Sequence, residues 1–214
     1  LSEITGAPVV RWTGEPIRQS VPVMRGDKPV AEASRPAAYW IPAPWTDVIE
    51  RLRIHGVEME AIREPRALEV EMYHLENPQL SESVFEGHVQ VTAVPRLEVR
   101  EETFAPGSMR ISMDQPLGEL IMLLLEPASG DSFFQWGFFH EILARTEYVE
   151  EYVMEPMARR MLDQSPGLAA EFQEKLQNDA AFRGSPQRRL EWFYQRTPFF
   201  DERWRLYPVA RERN

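Results

Sequence analysis

The sequence predicts an α+β fold: an antiparallel β-sheet or two-layer β-sandwich followed by a C-terminal layer of α-helices. Three observations predict it. Between Val57 and Met113, apolar residues recur at every second position with charged residues between them, the pattern of antiparallel strands with one wet face. At Leu117–Leu125 the alternation gives way to a stretch apolar on almost every side, which reads as a helix buried all round. Ser165-Pro166 and Ser185-Pro186 then each set an N-cap serine before a first-turn proline, the signature of a helix start.

Residues 1–36 carry Pro8, Pro16, Pro22, Pro29 and Pro36 with glycines between them. They read as a connector of short extended pieces, Pro8 to Trp12 and Ile17 to Val23, joined by turns. Val9, Val10, Trp12, Ile17, Val21 and Val23 call for cover, so the connector is expected to add edge strands or wrap one side of the fold.

Ala38 to Ile41 reads as a short strand. Trp45, Val48, Ile49 and Leu52 fall at i, i+3, i+4 and i+7, an amphipathic helix stopped at Gly56. Arg51, Arg53 and His55 complement its dipole. The strand block follows: Val57, Met59, Ala61; Leu68, Val70, Met72; Val89, Val91, Ala93; Leu97, Val99; Met109, Ile111, Met113. Pro95 marks an edge or a bend. Pro106-Gly107 predicts a hairpin between Arg96–Phe104 and Ser108–Met113.

Asp114 is placed to cap the apolar helix, with Pro116 in its first turn and Pro127 as its stop. Phe133, Phe134, Trp136, Phe138 and Phe139 form the densest aromatic patch. From Thr146 onward the chain reads as helical. Tyr148, Val149, Tyr152 and Val153 make one stripe, and Pro156 is expected to open a new helix. In the next helix Leu168, Phe172 and Leu176 form a stripe, with Glu171 and Lys175 as an outer pair. The last carries Leu190, Trp192, Phe193 and Tyr194. The expected organisation is a connector at 1–36, a β-rich part at 37–115 and a helical part at 116–214 packed on the sheet, with 36–214 one domain.

The 214 residues hold enough apolar surface, 43% of the chain, for a sizeable core. A formal charge of -10 argues against nucleic acid and anionic membranes as partners. No run reaches the length of a membrane span. Cysteine is absent, which removes disulfides, a thiolate nucleophile and Cys-type zinc sites. No signal peptide precedes Leu1, so the chain reads as an excised or processed piece.

Few residues offer chemistry. His55-x-x-Glu58, with His140 or His88 as a third ligand, has the spacing of a carboxypeptidase-type zinc site. A dipole-complementing histidine and a solvated glutamate explain the pair better. His140 and Glu141 could form an acid–base pair, or the polar edge of a packed aromatic cluster. Asp114 and Asp131 bracket the apolar helix, and read more simply as a cap and a loop turn. Trp136, His140, Glu141 and Asp131 are the candidates for a ligand site, since aromatic rings can stack on sugars or peptides. Neither a phosphate loop nor a nucleophile elbow is present, and no residue is assigned a catalytic or metal-binding role.

Several long phrases carry a resemblance: Arg35–Glu60 (RPAAYWIPAPWTDVIERLRIHGVEME), Glu86–Val91, Met113–Phe139 (MDQPLGELIMLLLEPASGDSFFQWGFF), Tyr152–Leu162 and Arg189–Arg211. Together they resemble the region that follows the catalytic domain in bacterial carboxypeptidase A-like zinc metallopeptidases. Thr5–Val23 resembles the segment linking the two. The resemblance implies a non-catalytic accessory domain whose partner is an upstream peptidase domain. That parent would hold zinc and remove a C-terminal residue from a peptide, including a cell-wall peptide, in the periplasm or outside the cell. No position here matches the family's zinc ligands or catalytic glutamate, so no cofactor is expected in this chain. Two other readings stand beside it: a glycan- or peptide-binding module, and a zinc-dependent hydrolase in its own right.

Overall fold

The computed structural model describes residues 1–24, 26, 28–29, 31–145 and 150–213. The chain forms two compact units, Leu1–Glu32 and Ala33–Asn214.

In the first unit the chain opens with a tight turn. Gly6 N–H donates to the Ser2 carbonyl (2.9 Å), and Ser2 N–H to that of Ala7 (3.0 Å). Among its described residues there is no helix or strand. Val9, Val10, Trp12, Ile17, Val21 and Val23 are exposed. The expected edge strands do not form among the described residues of this unit: these pieces lack a hydrogen-bonding neighbour, without which an extended segment is not a strand.

The second unit is built on one six-stranded antiparallel sheet, β1 (Ala38–Ile41), β2 (Glu60–Ala61), β3 (Arg66–Phe85), β4 (His88–Phe104), β5 (Met109–Ser112) and β6 (Ala210–Glu212), in the order β2-β5-β1-β6-β3-β4. With its helices it makes the α+β fold that the residue pattern predicts. The long β3–β4 hairpin turns at Glu86-Gly87, both at positive φ (47° and 84°). Two such residues match the twist of the flanking strands, and glycine takes the second without strain. Pro95 sits within β4 opposite Leu75, and β4 is an edge strand of the sheet, as a proline in the strand block predicts. The hairpin expected across Pro106-Gly107 does not form. The chain does turn there, but β5 leaves β4 and inserts between β2 and β1. β4 is already paired with β3 along its length. The C-terminal β6, between β1 and β3, escapes sequence reading. Val209, Ala210 and Arg211 are all buried, which leaves no polar alternation to detect.

Each face of the sheet carries its own core. On one lie Tyr39, Ile41, Leu75 and Ile111 beneath helix α1 (Thr46–Ile54), helix α2 (Gly118–Leu125) and the aromatic loop at Phe133–Phe139. On the other, Trp40 packs with Val70, Met72 and Phe104. The Arg66 and Arg110 guanidinium groups cover its ring, 5.4 and 5.9 Å from the centroid. Its Nε1–H donates to Glu212 at 2.8 Å, and Arg110 binds the same carboxylate.

α2 departs from expectation in two ways. Asp114 does not cap it; its own N–H is held by the Ser112 hydroxyl, and Leu117 occupies the N-cap position. Nor is it buried all round, because Leu123 is exposed while Ile121 and Leu125 are buried. A β-carbon at Gly118 would meet the end of the Arg35 side chain, whose guanidinium donates to the Met113 carbonyl and would have to shift.

The C-terminal helices are α3 (Glu151–Gln164), α4 (Pro166–Asn178), α5 (Ala180–Arg183) and α6 (Pro186–Tyr194). Ser165 and Ser185 cap α4 and α6, accepting from the N–H groups of Leu168 (3.3 Å) and Arg188 (3.2 Å) as the Ser-Pro pairs predict. Pro156 does not start a helix. It lies inside α3, where burial of Met154 and Ala158 on either side holds the helix through the missing N–H bond. Of the expected stripe, Thr146, Tyr148 and Val149 lie outside the described residues, and Tyr152 and Val153 are exposed. Glu171 pairs with Arg196 (2.7 Å) and Lys175 with Asp179 (3.6 Å) rather than with each other. Phe172, Phe182, Trp192 and Phe193 form the aromatic heart of this part, with ring centroids 4.8–6.3 Å apart.

Candidate functional site

The sequence-predicted candidates fall in three places. His55 follows α1, where its Nδ1 lies 2.7 Å from the Arg51 carbonyl. Glu58 is exposed, and its backbone is fixed by Gln115, which accepts from the Glu58 N–H (3.0 Å) and donates to its carbonyl (3.1 Å). His140 opens a 3-10 turn, His140–Leu143; its Nε2 is buried without a hydrogen-bond partner, against Gly137. Among the described residues no three His, Asp or Glu side chains are grouped to hold a metal ion. Asp114 and Asp131 are both exposed, beyond opposite ends of α2.

The third place is the aromatic loop. Ser132 is buried, and its hydroxyl accepts from the Gln135 N–H at 3.1 Å. The Gln135 carbonyl accepts from Val91 of β4 at 3.0 Å. These bonds set Trp136 against Phe85 and His88 of the hairpin tip, 5.9 and 5.7 Å between ring centroids. His88 also stacks on Phe138 at 6.0 Å. Phe139 turns inward against Trp45 (4.7 Å) and Tyr207 (4.9 Å).

Where the loop meets the start of α1, an open cleft of about 280 Å³ is lined by Pro44, Trp45, Thr46, Asp47, Val48, Phe138 and Glu141. Of the four ligand candidates only Glu141 lines it. Trp136 belongs to the hairpin cluster, and His140 and Asp131 are not part of the lining. Two carboxylates beside the Trp45 ring suit a cationic group, whereas the Phe138 ring already carries the Arg51 guanidinium, 5.8 Å from its centroid. Trp45 and Asp47 escape sequence reading because they present themselves there as the opening of an amphipathic helix.

A second constellation is centred on a buried ion pair, Arg211 and Glu126. Arg211 of β6 stands opposite Tyr39 of β1 and Glu71 of β3, and is 2% exposed. Glu126, just after α2, accepts from the hydroxyls of Tyr39 and of Tyr73 (2.8 Å) and ion-pairs with the Arg211 Nε at 3.2 Å. Arg211 also donates to the Tyr73 hydroxyl (3.0 Å) and the Ser34 hydroxyl (2.9 Å), and approaches Glu71 at 3.4 Å. Burial pushes the Tyr39 and Tyr73 hydroxyls well above the ordinary phenol value, and the negative charge of Glu126 pushes the same way. Tyr207 is raised likewise, first by burial and then by Glu126; it donates to the Leu125 carbonyl at 2.9 Å. Its centre is buried while Ser34 is exposed and Glu71 and Tyr73 are half-buried, and its geometry is that of a structural clasp.

No family model matches the chain, and no solved structure matches it. The chain is similar to carboxypeptidase 2 of Trichophyton rubrum, 32% identical over 110 residues, which is 51% of this chain and 20% of that protein. It is 31% identical over 108 residues to carboxypeptidase 2 of Trichophyton tonsurans, and 28% identical over 102 residues to a probable carboxypeptidase 2 of Arthroderma benhamiae. The similarity marks a carboxypeptidase-related region, and these relatives are fungal. The chain spans about a fifth of the length of the curated relatives it matches. No helix among the described residues is long and apolar enough to cross a membrane.

Proposed function

We propose that this chain is a non-catalytic accessory region of a carboxypeptidase-like protein. It packs on the peptidase domain and helps shape or stabilise the substrate cleft there. The zinc and the reacting groups belong to that domain, which removes the C-terminal residue of a peptide. One observation carries the reading: about half of this chain aligns with carboxypeptidases of which it covers only about a fifth. The test removes residues 1–214 from the whole protein and follows its kcat/KM and Tm. Both are expected to fall; a protein unchanged in both sinks the reading.

The cleft at Trp45 and Phe138 favours a second reading, a peptide-binding module for a basic side chain or free amine. Titrating cell-wall peptides bearing a free amine should change the tryptophan fluorescence of the chain. The change should disappear in Trp45→Phe. A flat titration ends that reading.

A further inference from the structure

β4 is an edge strand, and its outward-facing groups follow from bonds made elsewhere. Leu75 N–H donates to the Arg205 carbonyl (2.9 Å), and the Tyr73 carbonyl accepts from Tyr207 N–H (2.8 Å). Residues 73 and 75 of β3 therefore direct their amides away from β4. Their partners in register are Leu97 and Pro95. In an antiparallel ladder such non-bonded pairs alternate with bonded ones, so Leu97 directs its N–H and C=O to the open side. The register is unbroken from Arg66↔Phe104 to Glu76↔Val94, which extends the rule to Val99, Glu101 and Thr103. Pro95 has no N–H to offer. Beyond it the edge is already occupied at Val91, by the Gln135 carbonyl. The open edge is thus the stretch 97–103.

Its side chains are patterned. Arg96, Glu98, Arg100 and Glu102 share one face and pair along the strand: Arg96 to Glu98 at 3.4 Å, Arg100 to Glu98 at 3.2 Å, Arg100 to Glu102 at 2.8 Å. Read backwards, the ladder is Glu, Arg, Glu, Arg. An identical strand laid antiparallel about Val99 sets Arg96 against Glu102 and Glu98 against Arg100, twice over. These fall at non-hydrogen-bonded positions, where facing side chains come closest and opposite charges attract. A slip of two residues either way sets like charge against like, so the register is specified. On the other face Val99, 49% exposed, meets its own copy, and Leu97, 42% exposed, lies over the stem of Glu101.

We propose that β4 pairs antiparallel with β4 of a second copy about Val99, joining two sheets into one. This is independent of the peptidase reading: the occupant is the same chain. Charge complementarity with its own reverse selects it over an unrelated strand.

The test is sedimentation of the 214-residue chain, with circular dichroism as the check on folding. The wild type should run at twice its mass of 24.9 kDa. Val99→Pro removes the outward N–H and the valine side chain at the two-fold, leaves the bonds to β3 in place, and should run as a monomer. Glu98→Arg and Arg100→Glu should each be monomeric alone, because one sets four bases together at the centre and the other four acids. Their equimolar mixture should recover the dimer. A monomeric wild type overturns the proposal. So does a folded pair of charge variants that stays monomeric when mixed, or a dimer that survives in both variants separately.

Discussion

The sheet and the C-terminal helices of the second unit are held by opposite strategies. Beneath the sheet, a buried arginine is satisfied by partners brought from across the chain. Ser34 and Arg211 are 177 residues apart, Tyr39 and Glu126 are 87, and Tyr73 and Glu126 are 53. Among the helices most polar bonds are local, the Glu171–Arg196 pair being an exception, and the core is aromatic. Ser165, Asp179 and Ser185 each cap a helix through an N–H three residues on. The pairs Glu155–Arg159 and Lys175–Asp179 lie at the surface, one turn apart. A buried charge is costly unless fully paired. A sheet assembled from both ends of a sequence gains from that cost: a strand in the wrong register strands an ion. Helices that find their partners locally need no such safeguard.

The largest effect should come from breaking the clasp. Arg211→Met leaves Glu126 and Glu71 facing each other without their cation, and one-sided removal of a buried ion costs about 3–5 kcal/mol. Urea unfolding should show the loss as a lower midpoint. A change below about 1 kcal/mol would place the pair among ordinary surface ion pairs, and the contrast between the two regions would fail.

Pro156→Ala probes the other region with the opposite sign. A proline inside a helix costs up to about 3 kcal/mol relative to alanine, part of which it returns by restricting the unfolded chain. Replacement should raise the melting temperature. A first-turn proline would show no gain, so a neutral or destabilising result contradicts its position inside α3.

These two substitutions also mark what could be read in advance. The Ser-Pro starts, the Leu168–Phe172–Leu176 stripe and the strand at Ala38–Ile41 were legible because each signal lies within a few residues. α1 was legible for the same reason. Pro156 misled because a local rule was overruled by packing of Met154 and Ala158. β6 and the β5 insertion were hidden because pairing between distant strands leaves no local trace. At the candidate site Glu141 was picked out, whereas Trp45 and Asp47 join it only through the approach of the 132–139 loop to α1. The clasp was invisible: Glu126 and Arg211 read as ordinary charges until the fold encloses them.

Alkaline pH separates the two regions by titration. Tyr39, Tyr73 and Tyr207 hold their protons above the ordinary phenol value when folded. Their contribution is complete below that value, about pH 10, and is lost as pH rises past it, where only the unfolded chain ionises. Stability should fall by about 1.4 kcal/mol per pH unit for each phenol that stays neutral in the folded state. In Tyr73→Phe the slope should be shallower by one such share. An unchanged slope would mean that Tyr73 ionises freely in the folded state.

The smallest effects belong to the caps, and their value lies in how they add. Ser165→Ala and Ser185→Ala should each cost about 1 kcal/mol, since each hydroxyl satisfies one N–H of one helix. The two serines share no partner, so the double variant should lose the sum to within about 0.5 kcal/mol. Arg211→Met and Tyr73→Phe do share partners, the hydroxyl of Tyr73 with the guanidinium and both with Glu126. Once the arginine is gone, part of what Tyr73 bonds to has already been lost, so this pair should fall short of its sum. Additive losses at the clasp would reduce it to separate bonds, and non-additive losses at the caps would make the helical region cooperative in the same sense as the sheet.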